Sequence, residues 1–167
     1  MSRAITWLLP LATAAVYGWL VLGPGRELGA LAGGLPPPDL WIGGYDLPAM
    51  RAWLLALPPE GVALYLGPVA RLDTAFPLLM GVTLLWWMRP LRGLFGAIAA
   101  LSALAYVGLD LAENAAVAAM VRAGPFGIDA AQVAAASGLT QAKFLAFGLA
   151  AVLAARQGWR RWTARNG

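Results

Sequence analysis

The chain has 167 residues, of which 60% are hydrophobic and 12% are charged, whereas a soluble domain carries about 25% charged residues. It contains no Cys and no His, which excludes disulfides, thiolate metal sites and the usual general base near neutral pH. We therefore expect neither a metal nor a cofactor. The net charge is +4. Four basic residues follow the last apolar segment, namely Arg156, Arg160, Arg161 and Arg165. This pattern is typical of a cytoplasmic membrane flank and predicts no nucleic-acid partner.

Four apolar segments, 5–22, 62–88, 94–121 and 130–157, are each long enough to cross a hydrocarbon core about 30 Å thick. They predict an all-α fold, a polytopic transmembrane four-helix bundle that forms a single membrane domain over 1–167. A cleaved signal peptide is the alternative for the first segment, but the segment is long for one and no clear cleavage site follows it.

The first outer loop, predicted over 23–61, is the longest connection and is rich in Gly and Pro. Inside it, Asp46 is a predicted helix N-cap, with Pro48 tolerated in the first turn. Apolar residues then recur at helical spacing, at Leu47, Met50, Leu54 and Leu57. We predict a short amphipathic helix that lies on the membrane surface or over the mouth of the bundle.

Basic residues in the short segments predict the orientation of the spans. Arg89 and Arg92 lie between the second and third spans, and the C-terminal tail carries four Arg, whereas the long first loop is acidic on balance. Both the N-terminus and the C-terminus are therefore expected to be cytoplasmic. The sequence predicts a multi-pass protein of the bacterial cytoplasmic (inner) membrane.

Ionisable residues inside the spans are predicted to lie at one height. At a rise of about 1.5 Å per residue, the acids and the lysine of this layer lie roughly 20–28 Å above the inner boundary, in the outer third of the core. They are Asp73, Asp110, Glu113 and Lys143. Asp110 and Glu113 share one face of the third helix with Asn114, because the spacings are three and four residues. Pro77 removes the helical donor of the Asp73 carbonyl and leaves that oxygen free.

A charged residue at mid-membrane costs about 2.5–3.5 kcal/mol, so these side chains are expected to face inward and to pair. We expect Lys143 to pair with one acid and Arg71 with another. One carboxyl then remains to hold or share a proton, which suits general acid–base chemistry. The candidate catalytic residues are Asp73, Asp110 and Glu113. The candidate substrate-binding residues are Tyr17, Arg71, Asn114, Thr140 and Lys143.

Three functions are compatible with this polar layer. The first is the binding or processing of a lipid-like or amphiphilic small molecule. The second is a non-catalytic scaffold or assembly subunit of a membrane complex, in which the ion pairs only fix the register of the helices. The third is a proton-coupled small transporter, which with four helices would act as a dimer. Small multidrug transporters carry an embedded Glu on their first helix, and the first helix here has no acid. Membrane lipid is an expected partner throughout, with a homodimer or a partner membrane protein as further expectations.

The chain contains a set of short motifs, namely Gly44-Tyr45-Asp46, the segment 61–65, Leu72-Asp73-Thr74-Ala75-Phe76-Pro77, Leu109-Asp110-Leu111-Ala112-Glu113-Asn114 and Lys143-Phe144. Together these motifs resemble small bacterial four-helix integral membrane proteins that have no assigned activity. The resemblance covers most of the chain and implies the topology alone. The plan of four spans with an outer loop is also similar to the sterol-isomerase and sigma-2 receptor group, although the defining motifs of that group are not evident.

Overall fold

The computed structural model describes residues 3–166, and the side chains of residues 7–163. It confirms the all-α prediction, since the described residues form helices and no strand. The α-helices are α1 (Arg3–Leu20), α2 (Arg26–Leu31), α3 (Leu47–Ala56), α4 (Pro59–Leu64), α5 (Ala70–Met88), α6 (Gly93–Ala123) and α7 (Ala130–Asn166). Residues 1, 2 and 167 of the predicted domain, and the side chain of Arg165, lie outside the described part.

Within the described part of the chain, four helical segments are long and apolar enough to cross a membrane, namely Trp7–Leu31, Pro59–Met88, Gly93–Ala123 and Ala130–Thr163. The chain is therefore a multi-pass integral membrane protein built as a four-helix bundle. The second and third segments agree with the predicted bounds to within three residues. The fourth continues past residue 157 to Thr163, and the first continues past residue 22 to Leu31.

A Gly-Pro pair explains why the first span is longer than predicted. Gly23 and Pro24 were expected to begin the outer loop, because a proline has no N–H and its ring clashes with the carbonyl four residues earlier. The chain instead kinks at Gly23, where φ of −96° and ψ of −110° are not helical, and a second helix continues after the proline. The loop between the first two spans therefore covers 32–58 rather than 23–61.

The bundle is built on the hairpin of α6 and α7, against which α5 packs. α1 packs mainly on α5, at the edge of the bundle. Helices α5 and α6 approach closely at Gly81, where an added Cβ would lie 2.3 Å from a methyl carbon of Val107. The other side of α1 leaves Trp7, Leu11 and Trp19 more than 60% exposed, which fits a surface that faces lipid.

Two apolar clusters fill the interior, one toward each end of the bundle. We call the cluster beneath the long loop the outer cluster; it includes Leu28, Trp53, Tyr65, Val117 and Val133. The cluster at the opposite end of the bundle, called the inner cluster, includes Leu84, Met88, Ala103, Tyr106 and Leu153. Along α6, Asp110 and Glu113 lie between Tyr106 of the inner cluster and Val117 of the outer cluster. The acids of α6 thus form a polar layer between two apolar cores.

The predicted short helix of the outer loop is confirmed as α3. The carboxylate of Asp46 caps it by accepting a hydrogen bond of 2.9 Å from the backbone N–H of Ala49. Met50 and Trp53 are fully buried in the outer cluster. Of the two predicted positions, α3 therefore covers the mouth of the bundle.

Hydrogen bonds attach the outer loop to the top of α7. The backbone N–H of Tyr45 donates to Oγ of Ser137 at 2.8 Å, and Nε2 of Gln141 donates to the carbonyl of Gly43 at 3.0 Å. Gly44 lies between these two contacts with φ at +82°, a conformation that favours glycine. The loop is thereby held over the polar layer.

Candidate functional site

Lys143 of α7 binds both acids of α6. Its Nζ lies 3.1 Å from Oδ1 of Asp110 and also forms an ion pair with Oε2 of Glu113. All three side chains are buried, with 8% of Lys143, 6% of Asp110 and none of Glu113 exposed. The expected pairing of Lys143 is present, but with two acids rather than one. A single ammonium therefore balances two buried carboxylates, and the group carries one surplus negative charge when both are ionised.

Thr140 and Asn114 support these acids from two helices. The hydroxyl of Thr140, one turn before Lys143, donates a hydrogen bond to Oε1 of Glu113. The amide of Asn114 donates to Oδ2 of Asp110 at 3.1 Å and to the backbone carbonyl of Asp73 at 2.8 Å. That carbonyl is the one that Pro77 deprives of a helical donor. Asn114 thus joins α6 to α5 at the point where the helix of α5 lacks a hydrogen bond.

Arg71 does not form an ion pair with any of the acids, so the expected pairing of Arg71 was wrong. Its side chain is exposed, and none of the ion pairs among the described residues includes it. The reason is its position, since residues two apart on a helix point to different sides and Arg71 is two residues from Asp73. The carboxylate of Asp73 consequently has no cation partner among the described side chains.

A cavity of about 810 Å³ lies between α1, α5, α7 and the outer loop. Its walls are mostly apolar and include Pro10, Ala14, Leu28, Phe76, Met80, Phe144 and Phe147. Exposed residues line its mouth, among them Tyr17, Val21, Leu35 and Leu40. Three members of the polar layer, Asp73, Asp110 and Lys143, lie in its wall. The cavity therefore combines a long apolar surface with one ionisable patch.

The cavity separates the predicted site residues into two groups. Tyr17 lies in the wall with its ring 5.0 Å from that of Phe76, and it reaches the ligand space directly. Glu113, Asn114 and Thr140 do not line the cavity and act through their neighbours. Of the three candidate catalytic residues, only Asp73 and Asp110 would touch a bound molecule.

Asp39 belongs to this site, although sequence reasoning missed it. A 3₁₀ turn, Pro38–Leu40, places its carboxylate in the cavity wall, where Oδ1 is buried and accepts no hydrogen bond from the described residues. Burial raises the pKa of Asp39, the charge of Lys143 opposes the rise, and that of Asp110 adds to it. The one signal in the sequence was the row of three prolines before it, which gives the segment a rigid path.

Tyr45 of the outer loop also faces the polar layer. Burial raises the pKa of Tyr45 to about 12, and the negative charges of Glu113 and Asp39 contribute to the rise. Its phenol therefore stays neutral at any physiological pH. Together with Asp39, it shows that the loop contributes polar groups to the site as well as covering it.

The layer as a whole holds four carboxyl groups and one ammonium. The carboxyl groups are those of Asp39, Asp73, Asp110 and Glu113. Among the described residues, no group of three or more His, Cys, Asp or Glu is arranged to hold a metal ion. The arrangement is chemically suited to accept a proton or to bind a hydrogen-bond donor or cation that enters from the cavity.

Comparison of the chain with protein-family models, with curated proteins and with solved structures gave no match. The cavity and the polar layer are therefore the features of the molecule that bear on its function.

Proposed function

We propose that this integral membrane protein binds a lipid-like or amphiphilic small molecule in the cavity beside α1. The observation that carries the proposal is the combination of an apolar cavity of about 810 Å³ with an ionisable patch at Asp73, Asp110 and Lys143. Small-molecule sites have volumes of roughly 300–1,000 Å³, apolar walls and a few convergent polar groups. The cavity has each of these properties.

The apolar part of such a molecule would lie along α1 and α5, against Phe76, Met80 and Phe147. Its polar head would meet Asp73 and Asp110. If the molecule is also processed, Asp73 is the natural acid or base, because no cation or side-chain hydrogen bond fixes its carboxylate. Glu113 and Thr140 would hold Lys143 in place behind the head.

A second candidate, a proton-coupled transporter that acts as a dimer, is favoured by one observation. Asp73 lies in the wall of the large cavity and also in the wall of a smaller one of about 300 Å³, lined by Asn114, Ala118 and Arg122. A carboxyl shared by two cavities is suited to accept a proton on one side and release it on the other. The scaffold alternative, in contrast, predicts a fully paired cluster, and Asp73 is unpaired among the described residues.

We also propose that the protein lies in the bacterial inner membrane with both termini cytoplasmic. The basic residues of the second-to-third link and of the C-terminal end support this orientation. Arg161 of that end donates a hydrogen bond of 3.0 Å to the carbonyl of Trp87, so basic groups of two segments meet at one end of the bundle. The resemblance to small bacterial four-helix membrane proteins stays a prediction.

Neighbouring alanines of α1 provide a matched test of the cavity. Ala14 lines the cavity and Ala15 does not, while both are exposed. The protein in phosphatidylcholine nanodiscs would be labelled with three twelve-carbon probes that carry a diazirine in the chain and end in an alcohol, an amine or a carboxylate. We expect saturable labelling by at least one probe, unchanged in Ala15→Trp and lost in Ala14→Trp. Labelling that is unsaturable, or equal in both variants, would overturn the proposal.

The scaffold alternative is tested by thermal stability in mild detergent. We expect Asp73→Asn to be at least as stable as wild type, because its carboxylate balances no cation. A clear loss of stability in Asp73→Asn would instead favour a purely structural layer. Asp110→Asn serves as the comparison and is expected to lose stability, because it removes a buried ion pair.

A further inference from the structure

The polar end of the cavity carries more negative than positive charge. Lys143 is bound by Asp110 and Glu113, so its positive charge is already shared between two carboxylates. Asp39 and Asp73 also line or face this end, and neither has an ion-pair partner among the described residues. The other cation in the cavity wall, Arg26, is exposed at the mouth. The site thus offers two carboxyl groups to a molecule that enters.

From this surplus we infer that the head of the bound amphiphile is a primary amine, held in its protonated form between Asp39 and Asp73. The inference rests on the proposed function, because it names the chemical class of the molecule that the cavity would take. It also adds Asp39, a residue of the outer loop, to the ligand-binding groups.

The hydrogen bonds at the site favour a donor over an acceptor. Oδ1 of Asp39 is buried and has no donor among the described residues, a state that costs free energy until a donor arrives. At Asp73, Asn114 binds the backbone carbonyl and leaves the carboxylate free. An ammonium carries three N–H donors and no acceptor, so it can serve both carboxylates at once.

The positions of the two carboxylates favour a head that lies between two structural elements. Asp39 belongs to the 3₁₀ turn of the loop above the cavity, and Asp73 belongs to α5 at its side. Both carboxylates lie in the wall of the same cavity. Two like charges in a poorly solvated place repel each other, and an ammonium between them removes that repulsion.

An anionic head is disfavoured for the same reason. A fatty-acid carboxylate or a phosphate would approach Asp39 and Asp73 with like charge, and the positive charge of Lys143 is already balanced by two acids. A neutral alcohol could donate one hydrogen bond but would leave the repulsion between the two carboxylates in place. The expected order of affinity is therefore amine, then alcohol, then carboxylate.

The three probes described above test this order. We expect saturation by the amine probe at a concentration roughly 10- to 100-fold below that of the alcohol probe, since a hydrogen bond to a charged group has about this effect on affinity. Asp39→Asn and Asp73→Asn should each weaken amine binding about tenfold or more and leave alcohol binding unchanged. Asp129→Asn, an equal change at an exposed carboxylate far along the chain, should have no effect.

The outcomes separate this inference from the proposed function. Equal saturation by amine and alcohol, sensitive to Ala14→Trp but not to either Asn variant, would overturn the amine head and leave the cavity as a binding site. A preference for the carboxylate probe would overturn the amine head as well. No saturable labelling by any probe would overturn both. If Asp73→Asn fails to fold, the result with Asp39→Asn decides, because that residue lies in the loop outside the spans.

Discussion

Replacing Lys143 with Met removes the ammonium that lies between Asp110 and Glu113 and keeps a side chain of similar length. Both carboxylates remain, with 6% and 0% of their side chains exposed, so water cannot take over the contacts of the ammonium. Breaking a buried ion pair by removal of one partner costs about 3–5 kcal/mol. Because two carboxylates lose their partner here, we expect the free energy of unfolding to fall by an amount in the upper half of that range, roughly 4–5 kcal/mol.

That loss is large relative to the total stability of a small protein, which is about 5–15 kcal/mol. For a chain of this length, each kcal/mol changes the Tm by about 2–4 °C. The Lys143→Met protein is therefore expected to unfold roughly 8–20 °C below wild type. The assay is thermal unfolding in mild detergent, followed by tryptophan fluorescence at one fixed scan rate because membrane proteins often unfold irreversibly. The fully buried Trp53 is the main reporter.

A control and a compensating variant complete the experiment. Arg71→Met removes a basic residue that is exposed and unpaired among the described residues, and it should change stability by less than about 0.5 kcal/mol. The double variant Lys143→Met/Glu113→Gln removes one of the two stranded carboxylates and should recover more than about 1 kcal/mol. The reasoning is refuted if Lys143→Met unfolds within 2 °C of the Arg71→Met control, or if the double variant is less stable than Lys143→Met alone.

Three further predictions concern the supports of the polar layer. Thr140→Val removes the hydrogen bond that the hydroxyl donates to Glu113. We expect the free energy of unfolding, measured by thermal unfolding, to fall by about 1.5–3 kcal/mol. A decrease below about 0.5 kcal/mol would contradict this prediction. Gly44→Ala places a Cβ on a residue with φ at +82°, 2.7 Å from Nε2 of Gln141. We therefore expect the free energy of unfolding to fall by about 1–3 kcal/mol and the outer loop to be cleaved faster by proteases. Unchanged cleavage of the loop would argue against this prediction. Burial raises the pKa of Asp39, so the contribution of Asp39 to the free energy of unfolding is full below about pH 4 and is lost as pH rises through the folded-state pKa. The Asp39→Asn protein should therefore be more stable than wild type at pH 7, and the difference should narrow toward pH 4. A stability difference that does not change with pH would show this prediction to be wrong.

The features that the sequence predicted well depend on residues close together in the chain. Asp46 caps α3 because an N-cap needs only the next three residues. The polar face of α6 follows from helical spacing alone, and Asn114 meets the Asp73 carbonyl because Pro77 frees it at a fixed offset. The common height of the ionisable residues follows from a constant rise per residue.

The features that the sequence did not predict depend on the direction in which a side chain points from its helix and on the path of the outer loop. Arg71 has the height expected of a partner, but its direction around α5 points it away from the acids. Asp39 enters the polar layer only because the loop folds back over the bundle and is held there by contacts with α7. The first span continues past residue 22 because the helix kinks at Gly23. The Gly-Pro sequence there is equally compatible with a loop, so the sequence does not predict the kink.

The shared ammonium also has a consequence for biogenesis. Asp110 and Glu113 leave the ribosome before Lys143, because α6 precedes α7 in the chain. If α6 entered the bilayer by itself, each acid would do so without its partner, at about 2.5–3.5 kcal/mol for an acid near the helix centre. Only residues 124–129 separate α6 from α7, so the two helices can enter together as a hairpin. The unit of insertion is then the pair, and the translocon must retain α6 until the lysine that neutralises it has been synthesised.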